Sequence, residues 1–303
     1  MPKIPVGQTV ESAYRFAFKQ FFAVLGIMWF PYLVVIAVAG GLTVAMLPGL
    51  LRATEAGTLP LSAIPGLVGL GVLVALGLFV AGAMVRVGLM RRALGMQTGW
   101  VFIYFSFAAP VWRMLGAMIL AALVLLGIAL ASAAAVGIVW GISHALMGEA
   151  ISGVLTGIAA AVAAPFFVYA AVRLVFFLPA VVVAEEQIGL GRAWALGGGN
   201  FWRIVVVILA VFIPVMILFG AIGAMLGTSI FAPAVEPATF HDAIRQMSER
   251  LASAINPLTI LFEIAYITVL TGISTGAIAG AYRAIVPSHP GQGTKPPVET
   301  AHV

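Results

Sequence analysis

Apolar residues gather along the chain into six long runs, at 21–47, 64–85, 114–141, 155–183, 201–226 and 257–281, and polar residues crowd into the gaps. Each run reaches or exceeds the roughly 20 residues that an α-helix needs to cross a bilayer, so the pattern predicts six transmembrane helices. Several exceed that minimum, which calls for tilt or kinking. Pro31, Pro165 and Pro214 fall inside runs and are kink candidates, because proline removes a backbone donor.

A second pattern marks the approach to each pair of runs. Val10, Ala13, Tyr14, Ala17, Phe18 and Phe21 recur at helical spacing opposite Glu11, Ser12, Arg15, Lys19 and Gln20. This predicts an amphipathic helix over 9–22, capped by Thr9 and lying in the headgroup layer. Residues 100–107 hold five aromatics in eight positions. They are read as an interfacial belt, with a stacking platform for a flat ligand as the alternative. Residues 188–196 form a third entry, ended by Gly197-Gly198-Gly199, after which Asn200 is placed to cap the fifth span. A glycine run before a helix suits an anion or a headgroup. No Lys-Ser/Thr follows, so a nucleotide-binding P-loop is excluded.

These entries suggest three copies of one unit, over 9–92, 100–183 and 188–285. Lys19-Gln20-Phe21-Phe22, Val111-Trp112-Arg113-Met114 and Phe201-Trp202-Arg203-Ile204 each join a basic residue to aromatics at the start of a span. Arg86, Arg173 and Arg283 each follow small residues where a returning span ends. The rival account is that any membrane hairpin begins with a basic–aromatic anchor and ends with a snorkelling arginine. All three units share one orientation, unlike the inverted repeats of many transporters.

Composition sharpens the membrane reading. The 303 residues are 63% hydrophobic and 8% charged, against about 25% charged in soluble domains. A single membrane domain over 1–286 with a disordered tail at 287–303 is expected. Of the fifteen Lys and Arg residues, only Arg52, Arg245 and Arg250 fall in the odd-numbered loops. The positive-inside rule then places both termini in the cytoplasm. The net charge of +5 sits beside apolar runs, so it points to anionic lipid headgroups and not to nucleic acid. Ala37-Val38-Ala39 resembles a signal-peptidase site, but the basic region before it is too long and the apolar run continues past it.

Few residues offer chemistry. There is no cysteine, which excludes disulfides, thiolate nucleophiles and Cys-ligated metals. His144, His241, His289 and His302 are scattered, and no metalloprotease, hydrolase or dinucleotide motif occurs. No catalytic residue, cofactor or metal is therefore assigned. Within the 240–254 stretch of the long loop, Ile244, Met247 and Leu251 share one face of a short amphipathic helix.

The candidate intramembrane polar site is Glu263 with Arg173, Glu185 and Glu186. Glu263 lies about 9 Å into the sixth span. Its charge costs around 2.5–3.5 kcal/mol at most, less than the apolar residues of that span return. It is read as a protonated packing acid or as part of a polar path. Arg173 either snorkels or pairs with Glu185 or Glu186, and Pro179 is expected to lay 180–184 along the interface. Candidate headgroup contacts are Arg15, Lys19, Arg113, Arg203 and Asn200. Gly272, Gly276 and Gly280 form a stripe suited to close helix packing, with a homodimer seam as the alternative.

Several stretches together resemble a known family. They are Glu11-Ser12-Ala13-Tyr14-Arg15-Phe16-Ala17-Phe18-Lys19, Arg173-Leu174-Val175-Phe176-Phe177-Leu178-Pro179-Ala180, Ala193-Trp194-Ala195-Leu196, Gly199-Asn200-Phe201-Trp202-Arg203 and Ala281-Tyr282-Arg283. The chain is similar through them to the glycerophosphoryl diester phosphodiesterase membrane-domain family and related bacterial inner-membrane proteins. The resemblance implies an inner-membrane home and a link to lipid or envelope upkeep. It brings no catalytic residue, because the soluble phosphodiesterase barrel of some members is missing from this sequence. The expectation is a non-enzymatic protein that binds or organises lipids or an envelope partner. A transporter built on Glu263 and Arg173, and an intramembrane lipid-modifying enzyme, are the alternatives.

Overall fold

The structure is a computed structural model that describes residues 2–55, 64–97, 99, 102–225 and 256–286, with side chains of the second helix described to residue 46. The expected helix at 240–254, His241 and the tail at 287–303 lie outside the described residues. Among the described residues the chain is all-α. Its helices are α1 (Val6–Lys19), α2 (Phe21–Glu55), α3 (Ile64–Ala93), α4 (Ala109–Met147), α5 (Glu149–Val175), α6 (Leu178–Ala184), α7 (Leu190–Gly197), α8 (Phe201–Met225) and α9 (Pro257–Ile285). Six are long and apolar enough to cross a membrane, which makes this a polytopic membrane protein. Leucine, isoleucine, valine and alanine fill these helices. With no water in hydrocarbon, a helix is the one open segment that satisfies its own backbone.

Packing is uneven along the helices. The main core joins the early part of α2, the last turns of α3, the first turns of α4 and the junction of α5 with α6. Leu89, Met114, Phe177 and Val181 are all fully buried there. No described residue of α2 beyond Pro31 is buried, nor any of α3 before Ala81. Beyond Ala121 in α4 and before Ala170 in α5, only Ser143 and Ser152 are buried, beside the Gly148 turn. Two hairpins, α2/α3 and α4/α5, thus share a buried base, beyond which each is a largely exposed pair of helices. In the third, α1 lies against α8 and α9, and Val207, Val211, Val215, Val269 and Ile273 are buried together with Ala13 and Ala17 of α1.

Three expectations, on Thr9, on the place of the first helix and on 180–184, are corrected. The first helix begins at Val6, and the Thr9 hydroxyl is no N-cap: it donates to the Pro5 carbonyl at 2.9 Å. That helix does not simply float among headgroups. Its apolar face docks antiparallel on the glycine stripe of α9, with Thr9, Ala13 and Ala17 against Gly280, Gly276 and Gly272. A Cβ on Gly276 would stand 2.9 Å from the Ala13 Cα, so glycine is what lets the two backbones meet. The second entry, 102–107, is irregular and not helical. The 180–184 segment does not lie along an interface: as α6 it is buried in the core, because a run of alanine and valine without one polar side chain packs better than it hydrates.

Candidate functional site

The polar residues of interest sit at the packed end and fall into three groups. The first surrounds Glu185, just past α6. Its Oε1 accepts from Arg192 Nε at 3.0 Å and from the Tyr282 hydroxyl at 3.0 Å, and its Oε2 accepts from Gln187 at 2.9 Å. Burial alone pushes the Glu185 carboxyl up, but the hydrogen bonds from Arg192, Tyr282 and Gln187 outweigh it and hold it below its usual range. Glu186 turns the chain with a φ of 54° and points elsewhere, accepting from Arg113 Nη1 at 3.2 Å.

Arg173 forms the second group and pairs with neither glutamate, so of the two readings the ion pair falls. Its guanidinium lies 4.1 Å from the Trp194 ring centroid and 5.2 Å from that of Tyr169. It donates to the Tyr169 hydroxyl and, at 3.0 Å, to the Trp194 carbonyl, while its Nε is buried without a partner among the described residues. The triple glycine makes room for it. A Cβ on Gly197 would stand 3.2 Å from the Arg173 backbone, one on Gly198 would stand 2.9 Å from Nη2, and Gly199 turns with a φ of 74°. The sequence carries the parts of this cage in the glycine run, Trp194 and Arg173, but not their meeting.

The third group clamps the N-terminal segment. Asn200 is buried, accepts from the Ile4 N–H at 3.1 Å and donates to the Pro2 carbonyl at 3.2 Å. Arg203 donates to the Ile4 carbonyl at 2.7 Å. Both were expected to meet headgroups; they hold the chain's own backbone instead, and Asn200 caps α8 only with its carbonyl. Nothing in residues 2–4 betrays this contact, because a backbone ligand has no sequence signature. Arg15 is exposed beside Glu11, Lys19 is exposed, and Arg113 is half-buried.

Glu263 does not join these groups. It is half-buried near the far end of α9, with no hydrogen-bond or ion-pair partner among the described residues. Nineteen residues separate it from Tyr282, about 28 Å along the helix. The four-residue polar site read from the sequence is therefore three separate places.

No family model, curated protein or solved structure matches the chain. The arrangement itself limits the chemistry. Among the described residues no group of three His, Asp or Glu can hold a metal. The far half of the α4/α5 hairpin holds a crevice of about 630 Å³, open to one side and lined by Ala133, Gly137, Ala160, Ala164, Trp140 and Phe167. Ser132 and Thr156 supply its only hydroxyls, and the Thr156 hydroxyl donates to the Ser152 carbonyl at 2.7 Å. Such a lining suits an alkyl chain and offers no acid–base pair.

Proposed function

We propose that the chain is a non-enzymatic, multi-pass protein of a bacterial inner membrane that binds or organises anionic lipids, with its basic end in the cytoplasm. The observation that carries this is the charge imbalance at the packed end. Eleven described Lys and Arg side chains lie there against three carboxylates, Glu11, Glu185 and Glu186. Only Arg15, Arg113 and Arg192 form ion pairs. The other eight have no carboxylate partner among the described residues, and lipid phosphates are the counter-ions a membrane offers. The apolar crevice adds a place for an acyl chain. The resemblance to the glycerophosphoryl diester phosphodiesterase membrane-domain family agrees with a role in envelope upkeep. Native mass spectrometry of gently purified protein tests the reading. Anionic phospholipid should be retained, and less of it after Lys19→Gln with Arg91→Gln. A lipid-free spectrum sinks the proposal.

A further inference from the structure

Proline takes a donor out of a helix, and in α8 another helix puts one back. Pro214 lies inside α8. It has no N–H for the Ala210 carbonyl four residues earlier, and its ring crowds that same carbonyl, so the ladder is interrupted there and the helix can bend. The Tyr14 hydroxyl of α1 sits at this break. It donates to the Val211 carbonyl at 3.1 Å and shares the bond with the Ala210 carbonyl at 3.4 Å. A carbonyl freed by proline in an apolar bundle is served by a neighbouring helix or stays unbonded at a cost. The donor is particular to α8. Among the described residues no side chain donates to the Ile27 carbonyl, four before Pro31, or to the Ala161 carbonyl, four before Pro165.

Tyr14 is held at the break by the whole of α1. Asn200 and Arg203 fix Pro2 and Ile4 at the start of α8, and Tyr14 reaches Val211 further along it, so α1 runs beside α8 in the same direction. Thr9, Ala13 and Ala17 meet Gly280, Gly276 and Gly272 of α9. Ala13 and Ala17 are buried together with Val207 and Val211 on one side of Pro214 and with Val215 on the other, so the contact bridges the kink. Past the kink, the Phe219 ring meets those of Phe262 at 5.6 Å and Tyr266 at 5.1 Å. These two flank Glu263 in α9.

We infer that α1 is a strap across the proline kink of α8. While it is docked, the Tyr14 hydroxyl stands in for the donor that Pro214 lacks and keeps the far part of α8 against the Glu263 stretch of α9. When it lifts, α8 bends at Pro214 and the pair opens there. This coupling goes beyond the proposed lipid role and does not depend on it.

The chain has no cysteine, so spin labels at Met225→Cys and Leu258→Cys, both exposed positions, read the gap between the far ends of α8 and α9. Dipolar electron paramagnetic resonance in phosphatidylethanolamine/phosphatidylglycerol vesicles gives the distance distribution. The labelled pair is compared alone, with Tyr14→Phe, with Pro214→Ala and with both. Tyr14→Phe removes only the hydroxyl and keeps the ring stacked on Phe18, and Pro214→Ala gives α8 its own N–H. One narrow distance is expected for the labelled pair alone. Tyr14→Phe should add a population several ångströms longer, and should add none in the Pro214→Ala chain. Gly276→Leu, which lifts α1 from its other side, should add the same longer population. A Tyr14→Phe distribution identical to that of the labelled pair alone would overturn the strap. A longer population that appears equally in the Pro214→Ala chain would place the effect in the packing of α1 and not at the kink, with the same consequence. So would a Gly276→Leu chain whose far ends stay together.

Discussion

The base of the molecule and the tips of its first two hairpins are built from the same apolar alphabet, yet one is buried and the other is largely exposed. At the base, Phe177, Leu89 and Ile27 are fully buried, and backbones meet across glycine. At the tips, Leu130, Ile158 and Val162 are more than half exposed. The difference follows from the number of neighbours. At the base, α6, α7 and α9 pack against the first two hairpins. At the tips each helix has its hairpin partner alone among the described residues, and between two helices in lipid close small-residue contact or hydrogen bonds do the holding. Exposure therefore reports on assembly here more than on composition.

The largest effect expected from this contrast comes from truncating one bulky side chain at each end. Phe177→Ala should lower stability by about 3–5 kcal/mol, whereas Leu130→Ala should stay within about 0.5 kcal/mol. Chemical unfolding in mixed micelles measures both. Equal losses would erase the distinction between base and tips. Insertion of bulk gives the complementary test. Gly276→Leu forces a side chain into the Ala13 backbone, whereas Gly157 has nothing within 4 Å of an added Cβ. The first change should cost about 1–3 kcal/mol or more and detach α1, seen as faster proteolysis of the N-terminal segment. Gly157→Leu should leave both readouts unchanged.

The sequence shows six spans because hydropathy integrates over 20 residues, and it shows the glycine stripe because small residues at helical spacing have one obvious use. It does not show which apolar faces pack. The spans are apolar all round, so no polar stripe betrays the buried side. The amphipathic α1 misleads for a related reason: an apolar face suited to lipid is equally suited to Gly272, Gly276 and Gly280. Charge partners were the least legible. Arg173 stands twelve residues before Glu185, but α6 and the turn at Glu186 intervene, and aromatic rings take the place of the carboxylate. The clamp by Asn200 joins positions 196 and 198 residues apart, which no local pattern can announce.

That clamp supplies a smaller test of the packed end. Asn200→Ala leaves the buried Ile4 N–H without its acceptor, a loss of about 1–3 kcal/mol for an unsatisfied group. Hydrogen exchange should rise over 4–19 and stay unchanged in the crevice region 129–140. A rise at both would mean that base and tips unfold as one unit, which would remove the distinction between them as stability regions.

The smallest effect concerns Glu185, and it separates the charged base from the uncharged tips by pH. Its carboxyl is held below its usual range in the folded protein, so the contribution is present above the unfolded value near 4.3 and is lost as pH falls through the lower folded value. The side chain is 21% exposed and its partner Arg192 46% exposed, so the contribution should be under about 1 kcal/mol. Glu185→Gln keeps an acceptor for Tyr282 and removes the charge. Between pH 6 and 3, the thermal midpoint of the natural protein should begin above that of the variant and converge on it from the acid side of 4.3. Carboxylates elsewhere titrate in both proteins and cancel. A gap that stays constant down to pH 3 would show that the Glu185 carboxyl titrates alike in the folded and the unfolded chain, and hence that its bonds to Arg192, Tyr282 and Gln187 contribute nothing measurable.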